Sequence, residues 1–346
     1  MAGVSKIERK TKAIAGLCLD DVDLDALIEN DEPCVVKGAL RHTALVRAAQ
    51  NSDDAAMEVL RSEYNERPLL NYTAPASANG RFFYTSSMDG VNFQTEYLTL
   101  DVFFERLKSE NAQVDGQTLY IGSAQVTDFF PALLNDPDLR AVDALFGDNN
   151  PRVGIWMGNH TVASTHFDMS NNVAICLTGR RRFTLFPPDQ IGNLYPGPIE
   201  PTPGGQVVSM FDLHDPDFNT YPRARQALER AQVAELEPGD LLVYPALWWH
   251  QVEGLDDFNV MINYWWNTVP PYADDPMNTL LHGMLSLRDR PDSEKQAWRH
   301  FFDYYIFGDA TKAGEHLPEH ARGQLGVIDE TTARRMRARL LQKINR

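Results

Sequence analysis

Cysteine is scarce in this chain: Cys18, Cys34 and Cys176 are the only three in 346 residues, and none forms a CxxC pair. Zinc-finger and disulfide-stapled scaffolds therefore have no support. Long apolar runs are missing as well; no window of about 18 apolar residues occurs, which excludes a helical membrane span. The N-terminal stretch "MAGVSKIERKTKAIAGLCLDD" is basic but lacks the apolar core of a leader, so a cytoplasmic protein is expected. Positive charge is in deficit, with 32 Lys and Arg against 48 Asp and Glu and a formal net charge of -16. Such a surface repels nucleic acid and anionic membranes, and neither is expected as a partner. The one basic concentration, "ARRMRARLLQKINR", reads as the solvated face of a last helix that complements its own dipole.

What is present suits one large domain or a domain with an appendage: 43% hydrophobic and 23% charged residues over a length that can bury a substantial core. Residues 1–117 read as mixed α/β. "DDVDLDALIEN", "TALVRAAQNSDDAAMEVLRSE" and "TLDVFFERLKSE" have helical spacing, while "PCVVKG" and "GRFFYTSS" read as strands. Between about 118 and 275 the texture changes to short β-rich runs punctuated by Gly, Pro and Asp. They are "TLYIGS", "RVGIWMG", "STHFDMS", "NVAICLTG", "RRFTLFPP", "QVVSMFD", "VAELEPGD", "LLVYPALWWHQVEG" and "NVMINYWWN". That pattern predicts a mainly β fold, an antiparallel sandwich or barrel. Residues 276–346 revert to helix, with apolar stripes from Trp298 to Ile306 and from Met336 to Ile344. The stripes allow either a homodimer contact or packing on the chain's own barrel.

"THFDMSNN" places His166 and Asp168 two positions apart. In a strand, residues i and i+2 share a face, so both can aim at one point inside a barrel. A chain with nine histidines holds about one His-x-Asp by chance, so the tripeptide alone is weak. A third ligand is available at His250, which closes "PGDLLVYPALWWHQV", read as a tight turn into one apolar strand. Two imidazoles and a carboxylate leave open positions on an octahedral ion, the arrangement of non-haem Fe(II) oxygenases. The competing reading makes His250 a hydrogen-bonded core histidine and His166 a surface one, and spacing leaves both open.

His166-x-Asp168, followed by "GRRRFTLFPPDQIGNLYPGP", "PGDLLVYPALWWHQVEG" and "NVMINYWW", resembles the JmjC/cupin-8 family of Fe(II)- and 2-oxoglutarate-dependent oxygenases. Within it the order of motifs is most similar to the asparaginyl-hydroxylase (factor-inhibiting-HIF) branch. The match covers roughly residues 118–268, with an echo in "EPCVVKG". The resemblance implies a double-stranded β-helix, a jelly-roll barrel of the cupin kind, with flanking N-terminal α/β elements and C-terminal helices. It implies His166, Asp168 and His250 as the iron ligands. It implies Tyr120, Asn172 and Asn263 as contacts of 2-oxoglutarate. The family holds the distal carboxylate of that co-substrate with a lysine; Arg181 stands at the matching position, and a guanidinium can engage a carboxylate through two parallel bonds. A family threonine is replaced by Ala163, with Ser164 and Thr165 as out-of-register substitutes.

The implied activity is hydroxylation of an unactivated C–H bond with O2, giving succinate and CO2; the carboxylate ligand argues for hydroxylation over halogenation. The substrate is expected to be a protein or peptide side chain. The alternatives are a small molecule under the same chemistry, and a non-catalytic cupin-like metal-binding or assembly protein.

Overall fold

The computed structural model describes residues 7–113 and 116–345. The first residues of the basic N-terminal stretch and Arg346 of the basic C-terminal stretch lie outside the described residues. Among the described residues, fourteen strands form two sheets. They are β1 Lys12–Ala15, β2 Cys34–Lys37, β3 Leu69–Ala74, β4 Arg81–Phe82, β5 Gln94–Leu98, β6 Thr118–Gln125 and β7 Arg152–Gly158. Then come β8 Val162–Phe167, β9 Asn171–Thr178, β10 Arg181–Phe186, β11 Gln232–Leu236, β12 Leu241–Tyr244, β13 Trp249–Gly254 and β14 Asn259–Trp266. The nine-stranded sheet runs β1-β2-β12-β9-β14-β7-β6-β3-β5, and the five-stranded sheet runs β11-β10-β13-β8-β4. This is the jelly-roll core that the resemblance implied, in keeping with the sandwich expected from the strand spacing; of the N-terminal strands, β1, β2, β3 and β5 join the larger sheet and β4 the smaller.

The central strands of the larger sheet are buried on both faces, which explains β9, in which every residue is buried, whereas the edge strands β1 and β5 are mostly exposed. Val153, Ile155, Met157, Val173, Ile175, Val260, Ile262 and Tyr264 point outward into a core shared with helices Asp53–Glu63 and Leu100–Asn111, through Leu60, Phe103, Phe104 and Leu107. Each such fully buried Leu or Phe contributes about 1.5–3 kcal/mol relative to exposure. The alternate residues face the smaller sheet, where Ala174, Cys176, Leu242, Tyr244 and Met261 meet Phe183, Leu185, Trp248 and Val252. The site occupies this inter-sheet space.

Several local readings differ from the structure. "GRFFYTSS" supplies only the two-residue β4, because Asn92 takes over the next backbone groups, accepting from Phe83 N at 2.8 Å and donating to Arg81 O at 2.9 Å. "QVVSMFD" is not a strand; it contributes single bridges, Val208 to His166 and Ser209 to Pro196. "LLVYPALWWHQVEG" is two strands in different sheets, broken by Pro245 and by Leu247 at φ 66°. A proline cannot donate to a ladder, and a positive φ turns the chain out of one.

Residues Thr268–Arg346 form a separate compact unit. Its helices are Pro276–Leu287, Asp292–Phe302, which continues as a wider turn to Phe307, and Glu330–Ile344. Asp275 and Asp329 cap two of them by accepting from Met277 N and Thr332 N. The apolar stripes stay exposed: Trp298, Phe301, Tyr305, Ile306, Leu340, Leu341 and Ile344 all lie on the surface.

The β9–β10 turn tests the backbone argument. Gly179 has φ 66°, and a Cβ there would lie 2.5 Å from Phe258 O. Gly179→Ala should cost about 2–3 kcal/mol and several degrees of melting temperature. Urea unfolding checks this, and an unchanged midpoint would contradict the assigned turn.

Candidate metal centre

His166 is the penultimate residue of β8, and Asp168 lies just beyond the strand, where its carbonyl accepts from Leu247 N at 2.8 Å. β13 pairs antiparallel with β8 in a register that sets His250 directly opposite His166, followed by a bulge before Val252. The two imidazole centroids are 4.3 Å apart. His250 thus stands near the start of its strand, not at the end of one long strand as the sequence reading had it.

The imidazoles are oriented alike. His166 Nδ1 lies 2.8 Å from Ser164 O, and His250 Nδ1 lies 2.9 Å from Trp248 O. A carbonyl can only accept, so each Nδ1 carries the hydrogen and each Nε2 presents a lone pair to the space between the rings. Asp168 Oδ2 comes within 3.7 Å of His250 Nε2, and one donor atom from each of His166, Asp168 and His250 falls within 4.8 Å of the others. Burial first, then the neighbouring His166, push His250 below the ordinary imidazole range, against the pull of Asp168 and the Trp248 carbonyl. A neutral imidazole is the form that binds a metal. Two such nitrogens and one carboxylate could hold a divalent first-row ion with open positions.

The three donors sit in a cavity of about 710 Å3. Tyr120 and Asn263 line it, as do Ala163 and Ser164. Thr165 is turned away, donating to Gln251 Oε1 at 3.4 Å. Asn172 is fully buried behind Asn263; their side-chain amides meet at 2.8 Å, and Asn172 donates to Ser170 O. Arg181 lies beneath the cavity wall, 1% exposed, with one guanidinium nitrogen 3.5 Å from Trp156 O. Its Nε has no partner, and among the described residues no carboxylate pairs with it. Burial lowers its pKa, with Tyr120 and Cys176 nearby opposing that shift. An unpaired buried cation is costly, and an arriving carboxylate would offset that cost. The residues present therefore fit both a divalent metal and an anionic co-substrate.

Sequence reasoning missed Tyr244, Trp156 and Trp265, and from the 203–208 segment Pro203, Gly204, Gly205, Gln206 and Val208, all of which line the cavity. Tyr244 Oη is 3.4 Å from His250 Nε2, and Trp265 Nε1 donates to Asp168 Oδ2 at 3.0 Å. Strand phase could have found Trp265, since it alternates with Asn263. The 203–208 segment carries no such signal.

Compared with known families, residues 21–272 match the model described as "Cupin-like domain", and the chain belongs to this family. The cupin-like, JmjC-type proteins are generally Fe(II)- and 2-oxoglutarate-dependent oxygenases. Three curated relatives illustrate the range. The protein named "Lysine-specific demethylase JMJ31" from Arabidopsis thaliana is 33% identical over 117 residues, 34% of this chain and 21% of that protein. "HSPB1-associated protein 1" from Bos taurus is 36% identical over 123 residues, 34% of this chain and 24% of that protein. "tRNA wybutosine-synthesizing protein 5" from Gallus gallus is 32% identical over 182 residues, 53% of this chain and 48% of that protein. The chain thus spans between a fifth and a half of the length of these relatives. They support the family, and not the asparaginyl-hydroxylase branch in particular.

The buried neutral His250 has a pH consequence. Below the ordinary imidazole range the unfolded chain takes up a proton that the folded metal-free protein refuses, so this group's contribution to stability falls as pH drops. His214, raised by its hydrogen bond to Glu253, acts with the opposite sign. Comparing metal-free wild type with His250→Asn isolates the effect: urea midpoints should fall less steeply with acid in the variant. Equal slopes would count against a neutral His250.

Proposed function

We propose that this protein is an Fe(II)- and 2-oxoglutarate-dependent oxygenase that hydroxylates an unactivated C–H bond of a protein or peptide side chain. The observation that carries the reading is the convergence of three donors, His166 Nε2, His250 Nε2 and an Asp168 carboxylate oxygen, in a cavity whose wall residue Trp156 meets a buried guanidinium with no counter-charge among the described residues. When bound, Fe(II) would supply the redox chemistry by which O2 and 2-oxoglutarate become succinate, CO2 and a hydroxyl group on the substrate.

The chain's own residues hold and orient. His166, Asp168 and His250 would grip the ion on one side and leave its other side open. Arg181 would bind the distal carboxylate of 2-oxoglutarate, with Tyr120 beside it and Asn263 on the neighbouring wall. Asn172 would act one step back, fixing the Asn263 amide. Phe183, Val252, Met261 and Tyr244 line the intervening space, so water is excluded from the co-substrate's methylene stem. The net charge of -16 favours a neutral or basic substrate.

The same chemistry on a small molecule is the second reading, favoured by a cavity volume within the range of small-ligand sites. A non-catalytic assembly role is disfavoured by Arg181, because a decayed site has no use for a costly unpaired buried cation. The exposed apolar stripes of the 268–346 unit support the expected homodimer contact.

Fe(II)-loaded protein under aerobic, reducing conditions should convert 2-oxoglutarate slowly to succinate, and His166→Ala or Asp168→Ala should abolish this. Arg181→Ala should weaken 2-oxoglutarate binding by about 100-fold, and Arg181→Lys should retain most of it. Wild-type protein that neither binds 2-oxoglutarate nor makes succinate would overturn the oxygenase reading. An unchanged affinity in Arg181→Ala would overturn the anchor role alone.

A further inference from the structure

Trp265 stands on the inner face of β14, in phase with Met261 and Asn263, and its indole lies against the backbone of β7. The seat exists because β7 carries Gly154 directly opposite Asn263. A Cβ at Gly154 would come within 2.8 Å of Trp265 Cζ3 and 3.1 Å of Cη2, so only a residue without a side chain leaves room for the ring. The indole is confined on two further sides, by Trp156 edge-on at 5.9 Å between centroids and by the Arg152 guanidinium 5.9 Å from the ring. A ring held in this way has one polar atom, and it is spent on the site: Trp265 Nε1 donates to Asp168 Oδ2 at 3.0 Å. The same nitrogen lies 3.0 Å from the Asn263 side-chain amide.

We propose that Trp265, seated on Gly154, is a positioning residue that fixes the orientation of the Asp168 carboxylate for metal binding. The inference rests on the reading of His166, Asp168 and His250 as metal ligands. The physical need is specific to Asp168. Each imidazole is locked by a hydrogen bond to its own backbone two residues earlier, but Asp168 lies beyond the end of β8, and a carboxylate there turns freely about its terminal bond. The indole N–H removes that freedom. It holds Oδ2, the oxygen 3.7 Å from His250 Nε2, and a carboxylate oxygen retains a further lone pair for an ion.

The choice of donor follows from charge. A lysine or arginine in this place would form an ion pair with Asp168 and compete with the metal for it. A neutral N–H satisfies the carboxylate without cancelling its charge. The Asn263 side-chain amide, which contacts Asn172, lies against the same nitrogen, so the metal side and the co-substrate side of the cavity share one rigid ring.

The test uses Mn(II) alone as the probe, titrated into the metal-free protein and followed by electron paramagnetic resonance, with the visible bands of the Co(II) form as a second readout. Trp265→Phe keeps a ring in the seat and deletes the donor. It should keep the wild-type far-ultraviolet spectrum, bind Mn(II) at least about 10-fold more weakly, and shift the Co(II) bands. Gly154→Ala should do the same by displacing the indole, and it carries the test if the phenyl variant does not fold. Mn(II) affinity within twofold of wild type together with unchanged Co(II) bands would overturn the role of Trp265 while leaving the ligand assignment intact. Failure of the wild-type protein to bind Mn(II) would overturn both.

Discussion

The site depends on the pairing of β8 with β13, which sets His250 opposite His166. Side chains alternate along a strand, so a slip of one residue would exchange every side chain between faces. Here the two faces differ sharply. Trp249, next to His250, packs on Phe167 at 4.8 Å in an apolar cluster with Phe186, Leu194 and Ala227. A shifted register would drive an imidazole into that cluster and a tryptophan into the polar cavity, and both moves are unfavourable. The apolar face therefore enforces the geometry of the polar one.

The larger sheet carries a second constraint. Its outer face meets helices through largely apolar contacts, whereas its inner face mixes Ala174, Cys176 and Met261 with Tyr120, Asn172, Asn263 and Trp265. Polar groups in such a space are stable only when paired. The two asparagines pair with each other, and the indole pairs with Asp168. The indole nitrogens of Trp156 and Trp248 lack partners too, but Arg181 is the charged exception: it is buried, cationic and short of a partner. Stability drawn from the outer core makes room for that one unfavourable residue, and it is the residue whose chemistry points to an anionic co-substrate.

Much of this was legible from local pattern. Period-2 alternation and the Gly, Pro and Asp punctuation located most strands from Thr118 to Trp266, and the ordered motifs picked out His166, Asp168, His250, Tyr120 and Asn263. Other features were not. The break at Pro245 to Trp248 divides one apolar run between two sheets, because the chain there must cross from β12 to β13. "QVVSMFD" has strand composition, but it meets only the end of β8 and settles for single bridges. The helical stripes near the C-terminus have the periodicity of buried faces and yet are exposed, since periodicity records a face and not what covers it.

By itself, then, the sequence determined which residues could serve as ligands and which runs would be strands, because both follow from residue type and short-range spacing. Only the tertiary structure decided that His166 and His250, 84 positions apart, would face each other, and that Gly154 would leave an empty seat for the indole that holds Asp168. The reason is physical. Register and close approach arise from how two sheets fill the space between them, and no single strand contains that information.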